Sequence, residues 1–86
     1  MGRALTIQRS VIPISDRARQ LERLRSKRDH YRANDCRYWV FEEASVHGAF
    51  LEFVEADSAD AIAAAHSSAL DAPIDATRIY LEVELS

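Results

Sequence analysis

The chain has 86 residues and a net charge of −3; 48% of its residues are hydrophobic and 29% are charged. This composition is typical of a folded domain and excludes a disordered chain. A single cysteine, Cys36, excludes an internal disulfide. No stretch approaches the ~20 apolar residues of a membrane span, so we expect one cytoplasmic domain over residues 1–86 and no membrane partner.

The first part of the chain predicts one strand and one charged helix. Residues 5–12 favour a strand, and Pro13 ends it because proline cannot donate to a sheet ladder. Ser15 or Asp16 would cap a helix over about 16–33, built almost wholly from good helix formers. Its apolar stripe is narrow, so we expect a surface helix with one edge on the core. The stripe consists of Ala18, Leu21, Leu24, Arg28 and Tyr31.

The stretch CRYWVFEEASVHGAFLEFV predicts a hairpin of strands 36–43 and 47–55, with Glu43 opposite His47. Successive side chains of a strand alternate between faces, and both faces of this hairpin carry large apolar groups. We expect one set beneath the helices, lining a ligand pocket: Trp39, Phe41, Leu51 and Phe53, with His47 at the turn. We expect the other set on the face without helices: Tyr38, Val40, Phe50 and Val54, continued by Tyr80.

The rest of the chain predicts an alanine-rich helix and a last strand. Asp57 or Ser58 caps the helix, which ends near Asp71 because Pro73 disfavours helical geometry in the preceding residue. Alternation over residues 78–85 predicts the strand. The order β-α-β-β-α-β predicts an α+β, ferredoxin-like subunit with both helices on one face of a four-stranded antiparallel sheet.

The second apolar face of the hairpin predicts a homodimer. Two helices cover only one face of the sheet, and large apolar side chains left in water forgo roughly 1.5–3 kcal/mol each. Exposed patches of this kind usually mark an interface. A second copy packed face to face would bury Tyr38, Val40, Phe50, Val54 and Tyr80.

Residues 37–66 also resemble the dimeric α+β barrel superfamily, and are most similar to small antibiotic-biosynthesis-monooxygenase-like proteins. The matching pieces are Tyr38-Trp39-Val40-Phe41, His47-Gly48, Phe53-Val54-Glu55 and Ala61 to His66. This resemblance covers about a third of the chain and implies a homodimer in which two sheets form a barrel. It also implies a cleft between helices and sheet that binds an aromatic or apolar metabolite, and a cofactor-independent monooxygenase activity.

Within this superfamily the resemblance disfavours haem degradation. Those enzymes use an asparagine in the first strand and a tryptophan that ends the third strand. Here the first strand offers Thr6 and Gln8, and Glu55 stands where the tryptophan is expected. We therefore expect no cofactor.

His66, on the second helix, is the candidate catalytic base, because the pKa of histidine suits proton transfer near neutrality and the resemblance implies a histidine there. The alternative is a histidine favoured by the dipole at the helix C-terminus. The three histidines, His30, His47 and His66, belong to different predicted elements, so no metal site is expected.

Two other functional classes stay open. A site with one candidate base favours a non-catalytic assembly or interaction module. The arginine-rich first helix would bind nucleic acid or a phosphorylated ligand. Residues 1–41 carry a balance of +6 and residues 42–86 one of −9, but the cations spread around the helix, so nucleic acid is disfavoured.

Overall fold

The computed structural model describes residues 2–69 and 78–85. A 3₁₀ turn at Ile14–Asp16 precedes the first helix. The strands and helices are β1 (Ala4–Val11), α1 (Arg17–Ala33), β2 (Arg37–Glu42), β3 (Ala49–Ala56), α2 (Ala59–Ser67) and β4 (Tyr80–Leu81). The predicted β-α-β-β-α-β order is therefore confirmed.

The four strands form one antiparallel sheet in the order β2-β3-β1-β4. Each helix connects two strands that are separated in the sheet by a third, which is the arrangement expected for a ferredoxin-like subunit. The prediction of an α+β subunit with a four-stranded antiparallel sheet and two helices is confirmed. β2 lies at one edge of this sheet.

The C-terminal elements are shorter than predicted. The strand expected over 78–85 spans only Tyr80–Leu81, with one further hydrogen bond from the Glu82 amide to the Arg3 carbonyl, and beyond it Val83 and Leu85 are exposed. α2 begins as expected, since the Ser58 side chain accepts a hydrogen bond from the Ala61 amide. It ends at Ser67, and the predicted end near Asp71 lies outside the described residues.

The hairpin register differs by two residues from the predicted one. Glu42 is opposite Phe50, and the Glu43 amide donates to the Ala49 carbonyl. A change of two residues keeps every side chain on its face, so the two sets of hairpin residues are those that the sequence predicts. The turn needs glycine at position 48, because Gly48 has a φ of 92° and a Cβ there would lie 2.3 Å from the Ile12 carbonyl oxygen.

The assignment of the two hairpin sets to faces is wrong. The core beneath the helices contains Tyr38 and Val54, packed with Tyr31 of α1 and Ile62 of α2. We call this side the helix-covered face; its sheet residues are Ala4, Thr6, Tyr38, Val40, Phe50, Glu52, Val54 and Ala56. The opposite side is the helix-free face; it carries Leu5, Ile7, Val11, Trp39, Phe41, Leu51, Phe53 and Tyr80.

The buried edge of α1 explains this reversal. The residues of α1 that are buried are Gln20, Leu24, Lys27 and Tyr31, at spacings of one helical turn. This edge is rotated from the predicted stripe, and it places Lys27 toward the sheet. Glu52 of β3 then has a cation to pair with. The set of hairpin residues that shares a face with Glu52 can therefore lie on the helix-covered face.

Candidate functional site

A groove runs between α1 and the edge strand β2. Its volume is about 460 Å³, which lies within the range of small-molecule sites. The apolar part of its lining combines Leu21 and Leu24 of α1 with the side chains of the helix-covered face at this edge. The full lining is Leu21, Leu24, Arg25, Arg28, Arg32, Tyr38, Trp39, Val40, Phe41, Glu42 and Phe50.

One wall of the groove is cationic. Arg25, Arg28 and Arg32 all line it, since residues three and four apart lie on the same side of a helix. Arg25 pairs with Glu22, and Arg28 pairs with Asp29. These contacts lie on the solvent side of α1, where both acids are exposed.

The carboxylate in the groove lining, Glu42, is already engaged. Arg17 holds it with two hydrogen bonds of 2.8 and 3.0 Å, and the Gly48 amide donates to it at 2.8 Å. The Arg17 guanidinium and then the Gly48 amide lower the pKa of Glu42 to about 2. The same guanidinium lies 5.6 Å from the ring centroid of Phe50, which also lines the groove.

Beneath the helices, Lys27, Glu52 and Tyr38 form a buried polar cluster. Lys27 Nζ donates to Glu52 Oε1 at 3.1 Å, and Tyr38 Oη donates to the same oxygen at 2.8 Å. Burial is the main cause that raises the pKa of Tyr38, and the Glu52 charge adds to it. Tyr38 therefore stays a neutral hydrogen-bond donor; its ring also stacks on Tyr31 at 5.6 Å.

His66 belongs to a second buried cluster. Its Nδ1 is hydrogen-bonded to Tyr31 Oη at 2.7 Å and its Nε2 to Thr6 Oγ1 at 2.8 Å. Only 3% of its surface is exposed. A neutral imidazole offers one donor and one acceptor, and both are used within the core. His66 is therefore enclosed in the core and does not line the groove; its catalytic role stays a prediction.

The pKa of His66 is lowered, mainly by burial and secondly by His30 and Lys27. Below the ordinary value of 6.5 the unfolded chain binds more protons at this residue than the folded one. We therefore expect the free energy of unfolding to fall on acidification below that pH, with a His66 contribution of up to ~1.4 kcal/mol per pH unit. Urea denaturation between pH 7 and 5 measures this slope.

His66→Gln should reduce the slope, and His47→Gln is the matched control because His47 is exposed in the hairpin turn. Other acids also contribute to the wild-type slope, so the difference between the two variants is the quantity to compare. Equal slopes would contradict a buried neutral His66.

The helix-free face exposes a row of large apolar side chains. Trp39 is 37% exposed, Phe41 58%, Ile7 38% and Val11 59%. Phe53 lies at the centre of this face; its ring stacks on Trp39 at 5.8 Å and meets Phe41 edge-on at 5.7 Å.

Ion pairs lie around this apolar row. Three arginines on or beside the strands are each bound to at least one acid: Arg3 to Glu55 and Glu82, Arg9 to Glu43, and Arg37 to Glu55 and Asp57. Charge at the edge of the face is therefore locally balanced.

The structure distributes the predicted site residues differently from the expectation. Trp39, Phe41, Leu51 and Phe53 were expected in a pocket under the helices; all four lie on the helix-free face, and only Trp39 and Phe41 also line the groove, at its rim. Tyr38, Val40, Phe50 and Val54 were expected on the helix-free face, but they lie on the helix-covered face, and the first three line the groove. Tyr80 lies on the helix-free face, as expected, opposite Leu5.

Sequence reasoning missed Lys27 and Glu52. Lys27 stands among seven cations in α1, and nothing in the local pattern marks it as the buried one. The usable signal was helical spacing: Lys27 lies four residues before Tyr31 and three after Leu24.

The chain has one cysteine. Cys36 is a buried free thiol whose pKa is raised mainly by burial, as expected of an unreactive cysteine.

Within residues 2–69 and 78–85, no three side chains of the metal-binding types come together. None of the helices in this part of the chain has the length and apolar character needed to cross a membrane.

No protein-family model, no curated protein and no solved structure matches this chain. The resemblance to monooxygenase-like α+β barrels therefore stays a prediction.

Proposed function

We propose that this protein is a homodimeric binding protein for a small aromatic or apolar molecule, which it holds in the groove between α1 and β2. The observation that carries the proposal is the groove itself, a space of about 460 Å³ whose lining is mostly apolar, apart from Glu42 and one wall of arginines. Pockets of this size with mostly apolar walls are the usual sites of small ligands.

The ligand would lie along α1, with its apolar body on Leu21 and Leu24 and against Val40 and Phe50. Tyr38 forms part of the floor, and its hydroxyl is committed to Glu52. The walls therefore select a ligand by shape and burial of apolar surface.

The groove is tested by titrating the ¹⁵N-labelled protein with a panel of small aromatic and alkyl compounds. We expect saturable shifts at residues of α1 and β2, and quenching or enhancement of fluorescence from Trp39, the single tryptophan. Leu21→Trp should fill the groove and abolish the shifts; because it adds a second tryptophan, this variant and its control are compared by the shifts alone. Ile14→Trp is the matched control, because Ile14 is 76% exposed and lies outside the groove lining. Shifts that cluster elsewhere, or no saturable binding by any compound, would contradict the proposal.

The homodimer rests on the helix-free face, with a second copy of the chain as the occupant. β1 and β3 pair over eight residues, β2 over six and β4 over two, so at ~3.3 Å per residue and ~4.8 Å between strands the face covers roughly 380 Å². Two such faces would bury roughly 760 Å² in projection, the size of a small interface, so the case for a second copy rests on the chemistry of the face.

A second copy also fits the chemistry of this face. An interface about a twofold axis brings the same patch together with itself, so apolar Trp39, Phe41 and Phe53 would meet their counterparts. The charged groups at the edge are already paired, for example Arg37 with Glu55. Packing would therefore bury few unpaired charges.

The same face supports the second candidate, a non-catalytic assembly module whose function is the dimer itself. The ligand titration distinguishes this candidate from the binding protein, because an assembly module would show no saturable site in the groove. The cofactor-independent monooxygenase activity stays a prediction by resemblance. Nucleic-acid binding is disfavoured because the seven cations of α1 are spread around the helix, and two of them, Arg17 and Lys27, are held by Glu42 and Glu52.

A further inference from the structure

We infer that the ligand of the groove is an amphipathic acid: an apolar body that carries one anionic head group, a carboxylate or a phosphate. This inference rests on the proposed function of the groove and adds the chemical class of its ligand. The observation behind it is the charge distribution along the groove walls.

The cations of the groove all stand on one wall. Arg25, Arg28 and Arg32 follow one another along α1 at intervals of three and four residues, so their guanidinium groups can converge on one head group. Guanidinium binds carboxylate and phosphate oxygens in pairs, with two parallel hydrogen bonds. An anion at this wall would therefore be held in a defined orientation.

No acid of the groove lining neutralises this wall. Glu42 is the acid in the lining, and Arg17 with the Gly48 amide already holds it at the other end. Glu22 and Asp29, which contact Arg25 and Arg28, are each at least 70% exposed in their side chains and lie outside the lining. Exposed ion pairs of this kind are weak, so an incoming anion can displace them.

The opposite wall and the floor are apolar. Leu24 and Phe50 are buried there, at 6% and 3% exposure, and Val40 of the edge strand β2 also lines the groove. A ligand that satisfies both walls needs an apolar body on the strand side and an anionic group on the helix side. A neutral compound would contact the apolar wall but would make no ion pair with the arginines of α1.

The test uses matched compounds on the full chain: 4-butylbenzoate, 4-butylphenyl phosphate and the neutral 4-butylbenzamide, together with decanoate and decanamide. We expect at least one acid to bind roughly 10-fold or more tightly than its amide, measured by titration calorimetry or by shifts of the labelled protein. The tighter of the benzoate and the phosphate identifies the head group. Acid binding should also weaken as salt is raised, whereas amide binding should not.

Two groove variants and a control locate the anion. Arg28→Gln and Arg32→Gln should each reduce acid affinity several-fold and leave amide affinity unchanged. Arg19→Gln is the control, because Arg19 is exposed and is not part of the groove lining.

The outcomes separate the two proposals. Acids and amides that bind the groove equally well would overturn the amphipathic acid and leave the binding function standing. A preference for acids that persists in both groove variants would place the anion elsewhere and would also overturn it. No binding by acids or by amides would overturn the binding function together with the inference.

Discussion

Phe53→Glu is expected to convert the proposed dimer, with a mass of twice 9.7 kDa, into a monomer. Phe53 lies on β3, a strand paired on both sides, and its ring contacts Trp39 and Phe41 at the middle of the helix-free face. A carboxylate there stays hydrated in the monomer but loses its water in the dimer, and the arginines on this face, Arg9 and Arg37, are already paired with acids.

The expected effect is large because of symmetry. The substitution places two buried carboxylates at one twofold interface, and each costs several kcal/mol. Since 1.4 kcal/mol changes an equilibrium constant tenfold, we expect the dimer dissociation constant to rise by at least ~1,000-fold. Light scattering coupled to size exclusion, and native mass spectrometry at low micromolar concentration, measure the two masses directly.

A control keeps this result interpretable. Ala63→Glu places the same side chain on the exposed side of α2, on the other side of the sheet, and should leave the dimer intact. Circular dichroism on both variants checks that the subunit fold persists. A wild-type protein that is monomeric at tens of micromolar, or a Phe53→Glu protein that still dimerises, would refute the sheet-to-sheet dimer.

Lys27→Met is expected to lower the free energy of unfolding by about 3–5 kcal/mol. Glu52 is only 5% exposed and its cation is Lys27. Removing the ammonium leaves a buried carboxylate that keeps the single hydrogen bond from Tyr38. A domain of this size has a total stability of about 5–15 kcal/mol, so the variant should lose a large share of it.

Urea denaturation measures the loss of stability, and a triple variant that should restore it identifies the cause. In the triple variant Lys27→Met, Glu52→Leu and Tyr38→Phe, no charge or hydroxyl of this cluster remains to be satisfied. Apolar replacement of a whole buried ion pair is often neutral or stabilising, so we expect most of the stability to return. Arg25→Met serves as the surface control and should leave the denaturation midpoint nearly unchanged, because the Arg25–Glu22 pair is exposed.

If Lys27→Met alone changed the stability by less than about 1 kcal/mol, the pair would have to be solvated. A triple variant that stayed as unstable as the single one would mean that Lys27 acts through its packing and not through its charge.

Local patterns in the sequence were enough to predict the elements and their order. Proline, serine and glycine mark the ends of β1, α2 and the hairpin turn through backbone chemistry that acts within a few residues. Alternation separated the hairpin into two sets of side chains, and that separation survived an error of two residues in the register. The extent of β4 could not be read in this way, because alternation over 78–85 describes strand preference and not the availability of a partner strand.

The placement of the candidate site depended on contacts between distant residues. The groove exists because β2 lies at the sheet edge and α1 packs beside it, which follows from the strand order β2-β3-β1-β4. Arg25, Arg28 and Arg32 become one wall only when α1 is rotated against that strand. His66 was visible as a helical histidine, but its burial depends on Tyr31 and Thr6, which are 35 and 60 residues away in the chain.

By itself, then, the sequence determined that the chain forms two helices and a four-stranded antiparallel sheet, and that both faces of its hairpin are apolar. Only the tertiary structure decided which face lies under the helices. Hydrophobicity alone favours the other choice, because Trp39, Phe41 and Phe53 form the more apolar set, whereas Glu42 and Glu52 share a face with Tyr38 and Val54. The choice follows from the pairing of Lys27 with Glu52 and the stacking of Tyr31 on Tyr38, contacts that exist only when α1 lies across the sheet.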